Sequence, residues 1–137
     1  MILQYEIVLS GYKPGFHLIT DRIVPVLKDL PEKGLVNLFI KHTSAALCLN
    51  ENADPSVRHD FGTFFRQMVP EDEFLYSHTL EGKDDMPAHL KSSILGQSLT
   101  IPITNHRLAL GTWQGIYYCE FRDNPSARKI CITVTGE

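Results

Sequence analysis

LTIPITNHRLALGTWQGIYYCEFRDNPSARKICITV, residues 99–134, decides the fold class. Leu99, Ile101 and Ile103 alternate with Thr100, Pro102 and Thr104, and Leu108 and Leu110 resume the same period. A repeat of two is the signature of a strand with one buried face. Trp113, Tyr117, Cys119 and Phe121 fall on one face of a longer strand, and Ile130, Ile132 and Val134 on one face of the last. Asp123-Asn124-Pro125-Ser126 has turn composition. The segment reads as a β meander. Gly111 and Gly115 flank the only tryptophan, so the GTWQG run is either a wall for a flat ligand or a bulge beside a core Trp113.

Helical signals precede this segment. Asp84 or Asp85 caps a helix with Pro87 early, Leu90 and Ile94 inside it, and Gly96 just past its end. Asp54 and Pro55 open another, with Val57, Phe61, Phe64, Phe65 and Met68 at helical spacing and Pro70 as its stop. Leu35 to Lys41 and Ala45 to Leu49 read as strands. Thr20 is expected to cap a helix over Asp21 to Leu30, with Ile23, Val26, Leu27 and Leu30 on one face and Pro25 making its first turn irregular. Leu3, Tyr5, Ile7 and Leu9 alternate as a first strand, followed by a turn-rich stretch from Gly11 to Gly15. The order predicts an α+β fold, a largely antiparallel sheet packed with about three helices, in a single domain over residues 1–137.

Composition agrees. The 137 residues are 43% hydrophobic and 21% charged, ordinary globular values. A net charge of −3 gives no electrostatic footprint for nucleic acid. No stretch approaches the roughly 18 apolar residues of a membrane span. MILQYEIVLS has no basic start and carries Glu6, so no signal peptide is expected. Cys48, Cys119 and Cys131 sit in apolar runs without metal-binding spacing, which suits a reducing, cytoplasmic setting.

Polar residues in unusual settings mark the candidate site. His42 ends an apolar strand and shares a face with Val36, Leu38 and Ile40 by alternation, so its ring needs a partner. His78 lies in an acid-rich loop, and His89 lies early in the helix that follows Asp84 and Asp85. Three imidazoles plus water is a known open zinc site, and one imidazole alone suits proton transfer near neutral pH. Three unrelated, satisfied histidines remain the alternative. His17, His59 and His106 look peripheral. Glu51, Asn52 and Asp54 crowd a helix start. Asp84 and Asp85 are either caps or the acids that a magnesium-phosphate substrate requires.

The runs HTSAALCLNENADPSVRHDF, PAHLKSSILGQSLTIPI and LALGTWQGIYYCEFRD resemble the YjbQ family, also labelled the secondary thiamine-phosphate synthase family. The resemblance implies a homotrimer with a polar site near the subunit contacts. It also implies a weak activity that joins a pyrimidine diphosphate to a thiazole phosphate and releases diphosphate. Carried onto this chain, it marks His42, Glu51 and Asp84 as catalytic candidates and His42, His78 and His89 as ligands of a divalent metal, zinc or magnesium. Thr43, Ser44, Asn52, Gly111, Thr112, Trp113 and Gln114 become candidates for binding a phosphorylated small molecule. Two positions depart from the family pattern. Pro87 stands where relatives often have a second histidine, and His106 where a turn glycine is common. The resulting expectation is a small-molecule enzyme. Its rivals are a non-catalytic trimer that binds a metal or metabolite and a purely structural trimer.

Overall fold

Period-two patterning builds most of the molecule. The computed structural model describes residues 1–137. In β1 (Ile2–Leu9) Ile7 and Leu9 turn inward, in β3 (Lys33–Ile40) Val36, Leu38 and Ile40, and in β5 (Ser98–Thr104) Ile101 and Ile103. With β6 (Arg107–Leu108) and β8 (Arg128–Gly136) these strands form a five-stranded sheet in the order β1-β8-β3-β5-β6. A second sheet runs β2-β7-β4, from β2 (Gly15–Leu18), β7 (Gln114–Glu120) and β4 (Ala45–Glu51). Every strand pairing is antiparallel.

The two sheets enclose one apolar core, to which Ile116 and Tyr118 of β7 contribute. Tyr117 and Cys119 point to the other face of β7, where Phe16, Ala46, Ala88 and Phe121 form a second cluster with Phe61 and Phe65. Burial on both faces explains the unbroken apolar run of this strand. Helices α2 (Pro55–Met68) and α3 (Asp85–Leu95) contact β2 and β4 of the three-stranded sheet. The resulting order of layers is five-stranded sheet, three-stranded sheet, helices.

The α+β class and the antiparallel pairing agree with the sequence reading; several elements differ. The expected meander is split, because β7 crosses to the other sheet while β5, β6 and β8 stay in the first. His17 lies in strand β2, which follows the turn-rich stretch directly. The first helix, α1 (Thr20–Ile23), gives way to a 3₁₀ turn at Val24–Val26, because Pro25 has no N–H with which to continue an α ladder. Thr20 does not cap it. Its Oγ1 accepts the Ile116 N–H at 2.9 Å instead. Trp113 is 63% exposed and is no core residue. Asp54 caps α2 as expected, accepting the Ser56 N–H at 2.9 Å. Asn105 and His106 both adopt positive φ, 51° and 64°. The His106 Nδ1–H donates to the Leu30 carbonyl at 2.8 Å, which offsets the strain of a non-glycine residue there.

Candidate active site

Helix α3 buries a polar face. Asp85, Lys91 and Ser92 are among its buried residues, whereas Ile94 is 52% exposed. Leu90 and Ile94 thus lie inside the helix span but are not buried in the core. Ser92 Oγ–H donates to the Ala45 carbonyl at 2.7 Å and anchors α3 on β4.

Asp85 and His89 are four residues apart, so they share one face of α3. The His89 Nδ1–H donates to the Thr43 carbonyl at 2.9 Å, and its Nε2 lies 3.2 Å from Asp85 Oδ2. A carbonyl only accepts, so the Nδ1 proton is fixed and a neutral ring carries its lone pair on Nε2. That lone pair faces a carboxylate oxygen, an arrangement that requires a proton or a cation between them. His78 arrives from the preceding loop and donates from Nε2 to the same Oδ2 at 2.7 Å. One ligand atom from each of His78, Asp85 and His89 lies within 4.8 Å of the others. Two imidazoles and one carboxylate, with the Thr43 carbonyl orienting the His89 ring, fit a divalent cation by donor chemistry.

Arg122, just beyond β7, braces the acids. Its Nη1 donates to Asp85 Oδ1 at 2.6 Å, its Nε to Asp84 Oδ2 at 2.9 Å, and its Nη2 to the Glu81 carbonyl at 3.0 Å. Burial alone would raise the Asp85 carboxyl. The His78 hydrogen bond and the charges of Arg122 and His89 outweigh it and hold Asp85 below the usual carboxylate range. Asp84 is likewise buried yet held low, by the Asp123 N–H and Arg122.

His42 does not join this cluster. Its Nε2 accepts the Lys129 N–H at 2.9 Å, so that nitrogen is unavailable as a ligand. Asp85 takes the third position that the sequence assigned to His42. Burial, together with the nearby Arg128, Lys129 and Lys41, lowers the His42 pKa against the opposing pull of Glu120. The ring is therefore neutral at neutral pH. His42 and His89 nevertheless share a pocket of about 590 Å³, walled also by Lys41, Thr43, Ser92 and Ser93.

The other sequence candidates lie elsewhere. Ser44 is buried, and its Oγ accepts from Arg128 Nη2 at 2.9 Å, so it does not line the pocket. Arg128 also grips Glu120 through Nη2–Oε2 at 2.6 Å and Nε–Oε1 at 2.8 Å, with Tyr118 donating its hydroxyl to the same carboxylate. Glu51 sits at the opposite end of β4 from Ala45, roughly 20 Å away at strand rise. Its Oε2 accepts the Asp54 N–H at 3.2 Å. Asn52 Nδ2 donates to the Thr112 and Gln114 carbonyls, and Gln114 Oε1 accepts the Gly111 N–H. Glu51, Asn52 and the Gly111–Gln114 loop therefore brace one end of the β4/β7 pair, and within one chain they are not neighbours of His89. Asp84 Oδ2 accepts from Arg122 Nε and from the Asp123 N–H, each at 2.9 Å. The places of Arg122 and Asp85 in this cluster went unread in the sequence. The spacing of Asp85 and His89 was a usable signal; nothing local marked Arg122.

A protein-family model described as UPF0047 protein YjbQ-like matches residues 5–137. The UPF0047 protein YjbQ of Salmonella typhimurium is 52% identical over 139 aligned positions, covering 100% of both chains. The protein of that name from Escherichia coli O157:H7 is 49% identical with the same coverage. Among solved structures, a Sulfolobus solfataricus protein described as YbjQ-like and of unknown function superposes with TM-score 0.90. It is 26% identical, covering 100% of this chain and 99% of its own. A Clostridium acetobutylicum protein of the yjbq/upf0047 family is 35% identical with TM-score 0.80, covering 97% and 99%. The likeness spans both sheets and the helices, and the chain belongs to the UPF0047 YjbQ-like family.

Proposed function

We propose that the protein is a small-molecule enzyme acting on a phosphate-bearing substrate in the pocket of His42, Thr43 and His89, assisted by a divalent cation. His78, Asp85 and His89 would hold the cation, which supplies charge stabilisation to a departing phosphate or diphosphate. Two imidazoles favour zinc over magnesium, which prefers oxygen donors. The observation that carries the reading is the fixed Nε2 lone pair of His89 directed at Asp85 Oδ2. Lys41 places a cation on the pocket wall for the phosphate, and Thr43 and Ser93 offer hydroxyls. We assign the weak thiamine-phosphate synthase-like transfer to this same pocket. We also place the chain in a homotrimer, supported by half-exposed Leu35 and Phe39 on the uncovered sheet face. Its free thiols suit a reducing, cytoplasmic compartment.

Metal analysis of purified protein, paired with diphosphate release from a pyrimidine diphosphate and a thiazole phosphate, tests the enzyme. Asp85→Asn and His89→Ala should weaken zinc binding at least about tenfold and abolish release. His59→Ala, at an exposed position on α2, should change neither. Equal metal content and turnover in all three variants would sink the proposal.

One observation favours a non-catalytic trimer that binds a metal or metabolite. Both Asp85 oxygens already have partners, His78 Nε2 on Oδ2 and Arg122 Nη1 on Oδ1, so the carboxylate is held in place with no reacting group free. Phosphate-dependent thermal shifts without any turnover would select that reading.

A further inference from the structure

Strands β4 and β7 bring together two thiols that stand 71 positions apart in the chain. Cys48 Sγ lies 3.8 Å from Cys119 Sγ, and each sulfur has the other as its only hydrogen-bond partner. Register pairs Cys48 with Tyr117 and Ala46 with Cys119, so the two cysteines are diagonal neighbours on one face of the sheet. The helices cover that face, and the surroundings are apolar: Phe16, Ala46, Ala88, Tyr117 and Phe121. Cys119 is fully buried, and Cys48 is partly exposed at the edge of the cluster. The third thiol is remote, because Cys131 pairs with exposed Phe39 on the outer face of the other sheet.

A disulfide is the obvious product of such a pair, and the register opposes it. Diagonal neighbours have Cα atoms about 7–8 Å apart, and beyond about 7 Å two cysteines cannot be joined without moving the backbone. Strand β7 is the central one of its sheet, hydrogen-bonded on both edges, and has no freedom to shift. A metal ion needs no such approach. Metal–thiolate bonds are about 2.3 Å long, so two sulfurs on opposite sides of one ion stand about 4.6 Å apart. Opening 3.8 Å to that distance takes less than about 1 Å, within reach of two small side-chain rotations.

Donor chemistry selects the ion. Thiolates favour soft metals: copper(I), zinc and iron–sulfur clusters. Structural zinc and the clusters require four donors. The apolar wall supplies none beyond the two sulfurs, and the Tyr117 hydroxyl is committed to the Glu51 carbonyl. Two sulfurs suffice for monovalent copper. Entry is from the exposed side of Cys48. The Cys119 S–H donates to Cys48 and lowers its pKa, whereas burial raises that of Cys119, so Cys48 ionises first.

We propose that Cys48 and Cys119 form a two-coordinate site for a soft monovalent cation, copper(I), between β4 and β7. Two thiols give up two protons, one cation takes their place, and no electrons are exchanged. The complex carries a single negative charge, which the exposed side of Cys48 leaves open to water.

Copper(I) itself is the probe, offered anaerobically to the full chain as its coloured bicinchoninate complex. The natural chain should withdraw one copper per chain, read as loss of that colour. Cys48→Ser should weaken binding at least about a hundredfold, because even the outer partners of metal ligands are worth about 10–100-fold. Cys131→Ser should bind as the natural chain does. X-ray absorption of the copper-loaded natural chain should find two sulfur neighbours and no nitrogen. Should Cys48→Ser not fold, that spectrum decides alone. No withdrawal of copper by the natural chain, equal binding by Cys48→Ser, loss of binding in Cys131→Ser, or nitrogen neighbours in the spectrum would each overturn the proposal.

Discussion

At the scale of single residues, burial and hydrogen bonding decide what each polar group can do. His42 illustrates this. The sequence placed it correctly at the end of an apolar strand, but not the Lys129 amide that occupies its Nε2. Its pKa is lowered in the folded state, so between that value and about 6.5 the unfolded chain binds more protons. The stability contributed by neutral His42 is therefore complete above about pH 6.5 and is lost as pH falls through the folded value. Melting temperatures measured from pH 7.5 to 5 should fall more steeply for the natural chain than for His42→Gln; parallel curves would contradict this. Glu120 and Arg128 supply a second case. Both are buried, 0% and 4% exposed, and each satisfies the other. Arg128→Met would leave the carboxylate uncompensated, at a cost of about 3–5 kcal/mol. Calorimetry should show a melting point lower by roughly 10 °C or more. A drop under about 3 °C would mean the pair is not buried as described. Nothing in the sequence around Glu120 signals its partner, because the two meet only when β7 and β8 join different sheets.

At the scale of elements, periodicity read the strands well and α3 poorly. Strands β1, β3, β5 and β8 follow their alternation, and β4 its apolar run, because one or both faces meet a core. Helix α2 follows its cap and its proline. The short strand β2 was hidden by the turn residues before it, and only pairing with β7 makes it a strand. Helix α3 inverts the usual rule. The acid pair that looked like a cap is a buried, ion-paired edge, and the polar residues face inward where Arg122, Ala45 and the histidines satisfy them. A prediction follows that separates this packing from an ordinary amphipathic helix. Ile94→Ser should change stability by less than about 0.5 kcal/mol, because a half-exposed side chain gives up little. Ser92→Ala removes the bond to the Ala45 carbonyl and should cost about 1–3 kcal/mol. Chemical denaturation of the two variants checks the order, and the reverse order would show that α3 is turned the other way.

At the scale of the whole molecule, the layers leave one face unaccounted for. The helices cover the three-stranded sheet, and no element covers the outer face of the five-stranded one. Register places Gln4, Thr133, Asn37 and Thr100 in one row across that face, with Gln4 Nε2 donating to Thr133 Oγ1 and Asn37 Nδ2 to Thr100 Oγ1. Neighbouring rows carry Ile2 and Leu35 on one side and Phe39 on the other, all substantially exposed. A satisfied polar row flanked by exposed Ile2, Leu35 and Phe39 resembles the mixed surface of a subunit interface more than a solvated sheet. The proposed homotrimer is therefore expected to use this face. Light scattering should give three times the 15.5 kDa chain mass. Leu35→Glu with Phe39→Glu should reduce it to the single-chain mass while the far-ultraviolet circular dichroism stays unchanged, because both side chains point away from the core. A monomer before substitution would remove the trimer itself. A trimer that survives both substitutions would move its interface to another surface, with the exposed end carrying Trp113 the next place to look.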